Sequence, residues 1–180
     1  MVWEIQFLQW LQTNVVWDWL TPIMEFCTKM GNAGLIWVAV TVALLIFPST
    51  RKYGLIAALS LVLNLLLCNI CLKPMIGRIR PFNVTDVDLL IPTPGDYSFP
   101  SGHTSASFAV ALPVYFWNKK AGIIAIIFGA LIAFSRMYFF VHYPTDILGG
   151  LLVGLASAYI AKFIVERYSK KLSGSTSGKA

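Results

Sequence analysis

A chain of 180 residues that is 57% hydrophobic and only 12% charged is too apolar to cover itself with water; ordinary soluble domains carry about 25% charged residues. The net charge of +6 suggests a nucleic-acid partner, but the cations punctuate apolar runs and do not line a solvated basic face. A nucleic-acid function is therefore set aside in favour of a bilayer.

Charge-free runs extend over Met30–Thr50, Tyr53–Leu72, Thr104–Asn118, Ala121–Ser135 and Ile147–Ala161. A spanning helix needs roughly 20 mostly apolar residues, about 17 to 25. The first two runs meet that alone; the others reach it when extended into their polar ends. The expected fold is all-α: an integral membrane helical bundle with about five transmembrane helices plus N-terminal interfacial helices. Three segments are expected: interfacial amphipathic helices over 1–32, a transmembrane domain over 33–168 and a disordered tail over 169–180.

Residues 1–20 mix Trp3, Trp10, Trp17 and Trp19 with Gln9, Gln12, Asn14 and Asp18. Tryptophan favours the headgroup level, so this stretch reads as a helix lying on the interface. Glu4, Gln6, Gln9 and Gln12 interrupt any signal-peptide core, and none is expected. Thr21-Pro22 opens a second short helix. The first crossing is expected over 33–47, an inner turn at Pro48–Lys52, and the second crossing over 53–72. Asn64 and Asn69 in that crossing read as interhelical hydrogen bonders, and Cys27, Cys68 and Cys71 as buried free thiols.

The polar stretch 73–99 holds five of the landmarks of an irregular external loop, Pro74, Pro81, Pro92, Pro94 and Gly95, and long loops of this kind are usually functional. The third crossing ends near Trp117, the fourth covers 121–135 and the fifth starts near Thr145. Gly149, Gly150 and Gly154 put small residues on one side of the fifth helix, as close helix packing requires. Arg51, Lys52, Lys119, Lys120, Lys162, Arg167, Lys170 and Lys171 share one side of this arrangement. The positive-inside rule puts that side in the cytoplasm and the opposite face, with both histidines, outside.

On that outer face three clusters carry chemistry. Lys73, Arg80 and Arg136 are fixed cations, and guanidinium groups suit a phosphate in geometry as well as charge. Ser101 can cap the helix that follows, Gly102 permits close backbone approach, and a helix start binds anions through its free N–H groups. His103 in the first turn points at the same anion, placed to give or take a proton. If Pro144 opens a helix, Asp146 in its first turn reaches back to His142, fixing one ring nitrogen and leaving the other nucleophilic. No cluster has metal-ligand spacing, so no cofactor is expected. The expected reaction is a metal-independent phosphoryl transfer: His142 attacks phosphorus, and His103 protonates the leaving oxygen and then activates water.

Lys73-x6-Arg80-Pro81, Pro100-Ser101-Gly102-His103 and Ser135-Arg136-x5-His142-x3-Asp146 resemble the three signature motifs of the type 2 phosphatidic acid phosphatase (PAP2) family. Bacterial acid phosphatases and vanadium haloperoxidases share that site. The resemblance spans 73–146 and implies the same roles: Lys73, Arg80 and Arg136 on phosphate, Ser101 and Gly102 donating to it, His103 as acid and His142 as nucleophile oriented by Asp146. Membrane members commonly have six crossings, and here interfacial helices stand in place of the first. The implied partners are the bilayer and a lipid phosphate, namely phosphatidic acid, phosphatidylglycerol phosphate or undecaprenyl diphosphate. A vanadate-type haloperoxidase is disfavoured because those members are soluble. A non-catalytic lipid-phosphate binder or transporter needs the cations but not both histidines.

Overall fold

The computed structural model describes the backbone of residues 2–176 and the side chains of residues 2–169. Most of the tail expected over 169–180 lies outside the residues described with their side chains. Every regular element among the described residues is helical: α1 (Val2–Asn14), α2 (Thr21–Gly31), α3 (Leu35–Ile46), α4 (Arg51–Asn64), α5 (Lys73–Ile76), α6 (Gly102–Trp117), α7 (Lys119–Tyr138) and α8 (Pro144–Thr176). A π-helical stretch, Leu65–Leu72, continues α4 into α5, and short 3-10 turns occupy Asn32–Gly34 and Pro81–Asn83.

The boundaries follow from local chemistry. Pro22 and Pro74 lie in the first turns of α2 and α5, and Pro144 opens α8, where a missing N–H costs nothing. The Thr50 hydroxyl donates to the carbonyls of Leu44 at 2.7 Å and Phe47 at 3.1 Å, closing the end of α3 before α4 begins. Asn118 accepts from the Ala121 N–H at 3.0 Å and caps α7. Gly77 ends α5 at φ 59, a left-handed turn that suits glycine. That turn sends the chain back across the bundle, carrying Arg78 and Arg80 toward the site.

Helix α6 lies at the centre, packed against α4, α7 and α8, with Ala109, Val110 and Ala111 buried. Glycines set its distance from α8. A Cβ on Gly150 would meet the Ser101 carbonyl at 2.6 Å, and one on Gly154 the Ser105 carbonyl at 2.5 Å. Around this core Val42, Ile46, Val62, Ile70, Ile124, Ile127, Leu152 and Phe163 are exposed. Such a belt on long apolar helices faces hydrocarbon, and the chain is a multi-pass membrane protein. Lys52 and Glu166 meet at 3.5 Å, joining the start of α4 to the far part of α8 at the end away from the histidines.

Among the described residues, four stretches are long and apolar enough to cross: Thr21–Ile46, Arg51–Asn83, Lys119–Tyr138 and Pro144–Ser169. The expected third crossing, α6, has 16 residues and rises only about 24 Å. Neighbouring helices surround it, so it need not match the bilayer by itself. The stretch Thr21–Ile46 is broken by left-handed residues Ala33 (φ 51) and Gly34 (φ 67), which separate α2 from α3 where an interfacial helix was expected to precede a crossing. Cys71 is exposed, whereas Cys27 and Cys68 are buried, correcting the expectation for one thiol of three. Leu8 and Leu11 of α1 pack on Phe140 and Tyr143, while Trp3, Trp10, Trp17 and Trp19 stay exposed. α1 therefore covers the turn that follows α7.

Candidate active site

The five-residue turn 139–143 joins α7 to α8, and His142 sits in it at 1% exposure. Pro144 starts α8 as the spacing requires, so Asp146 folds back on the turn. Its Oδ2 accepts the Tyr143 N–H at 2.9 Å, the Ser98 hydroxyl at 2.5 Å and His142 Nδ1 at 3.3 Å. The other imidazole nitrogen, Nε2, is 3.2 Å from Arg80 Nη1. A guanidinium only donates, so this contact puts the lone pair on Nε2 and the proton on Nδ1, toward Asp146. Burial pushes His142 down from its usual 6.5 to about 3; the Asp146 hydrogen bond opposes the shift, and the Arg80 and Arg136 charges add to it. That shift favours the neutral ring, the form a nucleophilic histidine needs.

His142 lines a cavity of about 450 Å3, together with Arg80, the partner of its Nε2. The cavity is also lined by the polar or charged Lys73, Arg136, His103 and Asp96 with Gly102, and by the apolar Val38, Leu61, Leu65 and Ala106. His103, in the first turn of α6, has Nε2 2.9 Å from Asn32 Oδ1. Asn32 sits in the break between α2 and α3. The structure thus brings Lys73, Arg80, Gly102, His103, Arg136 and His142 around one space, with Asp146 directly behind His142.

Ser101 caps α6, as its place before the helix implies. Its hydroxyl accepts from the Thr104 N–H at 3.4 Å and the Thr104 hydroxyl at 3.0 Å, and its own N–H donates to the Asp146 carbonyl at 3.0 Å. Its backbone donor is committed to the start of α8 and Ser101 does not line the cavity, so the residues of this helix start that face the cavity are Gly102 and His103. A Cβ on Gly102 would lie 3.3 Å from Asn69 Oδ1. Asn64 and Asn69, expected between helices, both line the cavity; the buried Asn64 Oδ1 has no partner among the described residues.

The cations are held unequally. Asp96, in the loop before α6, receives Lys73 Nζ at 2.5 Å on Oδ2 and Arg80 Nη2 at 2.5 Å on Oδ1. Its carbonyl accepts Arg80 Nε at 2.8 Å. Partial burial raises the Asp96 pKa, but Lys73 and Arg80 outweigh it and hold the group down at about 2. This carboxylate therefore competes with any phosphoryl group for the same two cations. Asp96→Asn is expected to tighten competitive inhibition by inorganic phosphate about three- to tenfold, measured as Ki. Arg136 differs: Nη1 donates to Thr28 Oγ1 of α2, Nε is buried with no partner, and no carboxylate among the described residues pairs with it. Among the described residues no group of three or more His, Cys, Asp or Glu side chains could hold a metal ion.

Sequence reasoning missed Glu4, Thr28, Asn32, Arg78, Asp96 and Ser98, which hold the site residues in place. Arg78 had a signal, since it lies between Lys73 and Arg80 in the first motif. The others have none, because they act across long separations from segments without recognisable spacing.

A sequence model described as the PAP2 superfamily matches residues 53–170. The chain is 37% identical over 142 residues to an undecaprenyl-diphosphatase of Sulfolobus acidocaldarius, covering 75% of this chain and 66% of that protein. It is 36% identical over 157 residues to the undecaprenyl-diphosphatase BcrC of Bacillus subtilis, covering 85% and 77%. The crystal structure of a transmembrane PAP2 type phosphatidylglycerolphosphate phosphatase from Bacillus subtilis superposes with a TM-score of 0.73 at 27% identity, covering 94% of this chain and 86% of that one.

Proposed function

Because the chain belongs to the PAP2 superfamily, we propose that this membrane phosphatase hydrolyses undecaprenyl diphosphate or a closely similar isoprenoid diphosphate, through a phosphohistidine on His142. The carrying observation is the His142 ring itself, its neutral form favoured, held by Asp146 at Nδ1 and lining a cavity that Lys73, Arg80 and Arg136 also line. Two relatives at 36–37% identity bear the undecaprenyl-diphosphatase name, which favours this substrate over the glycerolipid phosphate of the structural relative.

In the proposed reaction Lys73, Arg80 and Arg136 take the phosphoryl oxygens, with the helix start at Gly102 adding backbone donors. Asp96 yields Lys73 and Arg80 as the phosphate enters. His142 Nε2 attacks phosphorus while Asp146 stabilises the positive charge that develops on the ring. The bound phosphate offsets the Arg136, Arg80 and Lys73 charges around His103, so the ring takes up a proton with the substrate. It gives that proton to the departing lipid-phosphate oxygen, then takes one from the water that hydrolyses the phosphohistidine and releases inorganic phosphate. Val38, Leu61, Leu65 and Ala106 in the cavity lining offer apolar surface to the first isoprene units. Phosphate release from undecaprenyl diphosphate, phosphatidylglycerol phosphate and phosphatidic acid, measured side by side with excess chelator, tests the reading. A higher kcat/KM on the glycerolipids would replace the substrate; no release from any would return the binder or transporter.

The site is proposed to face away from the cytoplasm, supported by Arg51, Lys52, Lys119 and Lys120 at the opposite turns. Gly95 has nothing within 4 Å of an added Cβ and lies in the loop on the site side. In a cysteine-free background, Gly95→Cys is expected to react with a membrane-impermeant maleimide in intact cells, and Asn118→Cys only after lysis. The reverse pattern would invert the orientation.

A further inference from the structure

Helix α1 lies outside the matched residues 53–170, yet it places a buried carboxylate one side chain away from the His142–Asp146 pair. Glu4 is 3% exposed. Its Oε2 receives Arg78 Nη2 at 2.6 Å, and its Oε1 receives the Thr145 hydroxyl at 2.6 Å and the Thr145 N–H at 3.3 Å. Arg78 Nη1 in turn donates to Asp146 Oδ1 at 2.5 Å and to the Thr145 hydroxyl at 2.7 Å. The guanidinium stacks 3.9 Å over the Tyr143 ring, which fixes its plane. One planar fork therefore bridges two carboxylates, with Asp146 carrying His142 on its other oxygen.

This sharing has an electrostatic consequence. A guanidinium left alone with Asp146 would neutralise it and weaken its hold on the imidazolium that forms when His142 attacks. With Glu4 taking the other half of Arg78, the guanidinium is shared between two carboxylates and Asp146 keeps more of its charge for His142. Inside a protein such coupled pairs act at low dielectric and are felt strongly. We propose that Glu4 is a positioning residue of the phosphatase site, acting through Arg78 and Asp146 on the nucleophilic His142. The inference rests on the phosphohistidine reading above. Helix α1, anchored by Leu8 and Leu11 on Phe140 and Tyr143, then belongs to the catalytic apparatus as much as to the interface.

The test uses the full chain in detergent with undecaprenyl diphosphate, comparing wild type, Glu4→Gln, Asp146→Asn and the double variant. Glu4→Gln is expected to lower kcat about tenfold with KM within about twofold, and to add nothing once Asp146 is already asparagine, because its effect passes through that carboxylate. The same fold-loss in both backgrounds, or a change confined to KM, overturns the proposal. Arg78→Lys guards against a variant that fails to fold: an ammonium cannot bridge both carboxylates in a fork, so kcat falls similarly, and full activity overturns the idea. Failure of the underlying phosphatase reading is separate, showing as no phosphate release by wild type.

Discussion

Replacing His142 with alanine is expected to lower phosphate release by at least about a thousandfold, with the lipid still bound. The proposed mechanism sets that size: the other of the two histidines, His103, is tied to Asn32 in the break between α2 and α3 and is not placed to replace His142. His103→Ala should lose less at the first step and retard the second. Acid-labile phosphate should therefore persist on His142 in that variant and be absent from His142→Ala, as read with labelled substrate. Acid is not expected to disarm the proposed nucleophile readily. Its pKa is depressed to about 3, so the neutral form persists as pH falls through the ordinary histidine range, and protonation of His142 should not reduce kcat/KM between about pH 5 and 7. Full activity in His142→Ala would end the phosphohistidine reading.

The part of this site legible in the sequence is the part that depends on short spacings. His142 and Asp146 are four apart with a proline between them that starts a helix, and that arithmetic alone predicts the contact. Ser101 before α6 was legible as a cap for the same reason, but its second role was not: its N–H reaches the Asp146 carbonyl across 45 positions, and only packing at Gly150 brings those helices together. Asn64 and Asn69 were read as bundle hydrogen bonders because they follow a helical apolar run. The π-helical stretch Leu65–Leu72 shifts the phase of that run through i→i+5 bonding, so 3.6-residue periodicity no longer says which way Asn69 and Lys73 turn. Asp96 and Glu4 carried no periodic signal. One is in a loop, and the other looked like an interruption in a tryptophan-rich interfacial helix. Crossings were similarly legible where the apolar run was long; α6 was counted by its lack of charge, although its neighbours and not its length keep it in the membrane.

Arg136→Ala is expected to remove about a hundred- to a thousandfold from kcat, the scale for losing one preorganised donor to a transition-state oxyanion. Among the three cations it is the one set up to gain most from substrate. Lys73 and Arg80 already hold Asp96, so phosphate binding there exchanges one anion for another. Arg136 is 4% exposed, has an orphaned Nε and rests on the neutral Thr28 hydroxyl. A buried charge that pairs with no carboxylate among the described residues is costly in the empty enzyme, and that cost is relieved when a phosphoryl group arrives. The relief is greatest as charge spreads over the equatorial oxygens in the transition state. Arg136→Lys keeps the charge but lacks the fork and should recover only part of the rate. Vanadate, which adopts the five-coordinate geometry of that transition state, should lose affinity in Arg136→Ala by a larger factor than inorganic phosphate does. Equal losses for the two anions would mean that Arg136 serves ground-state binding alone.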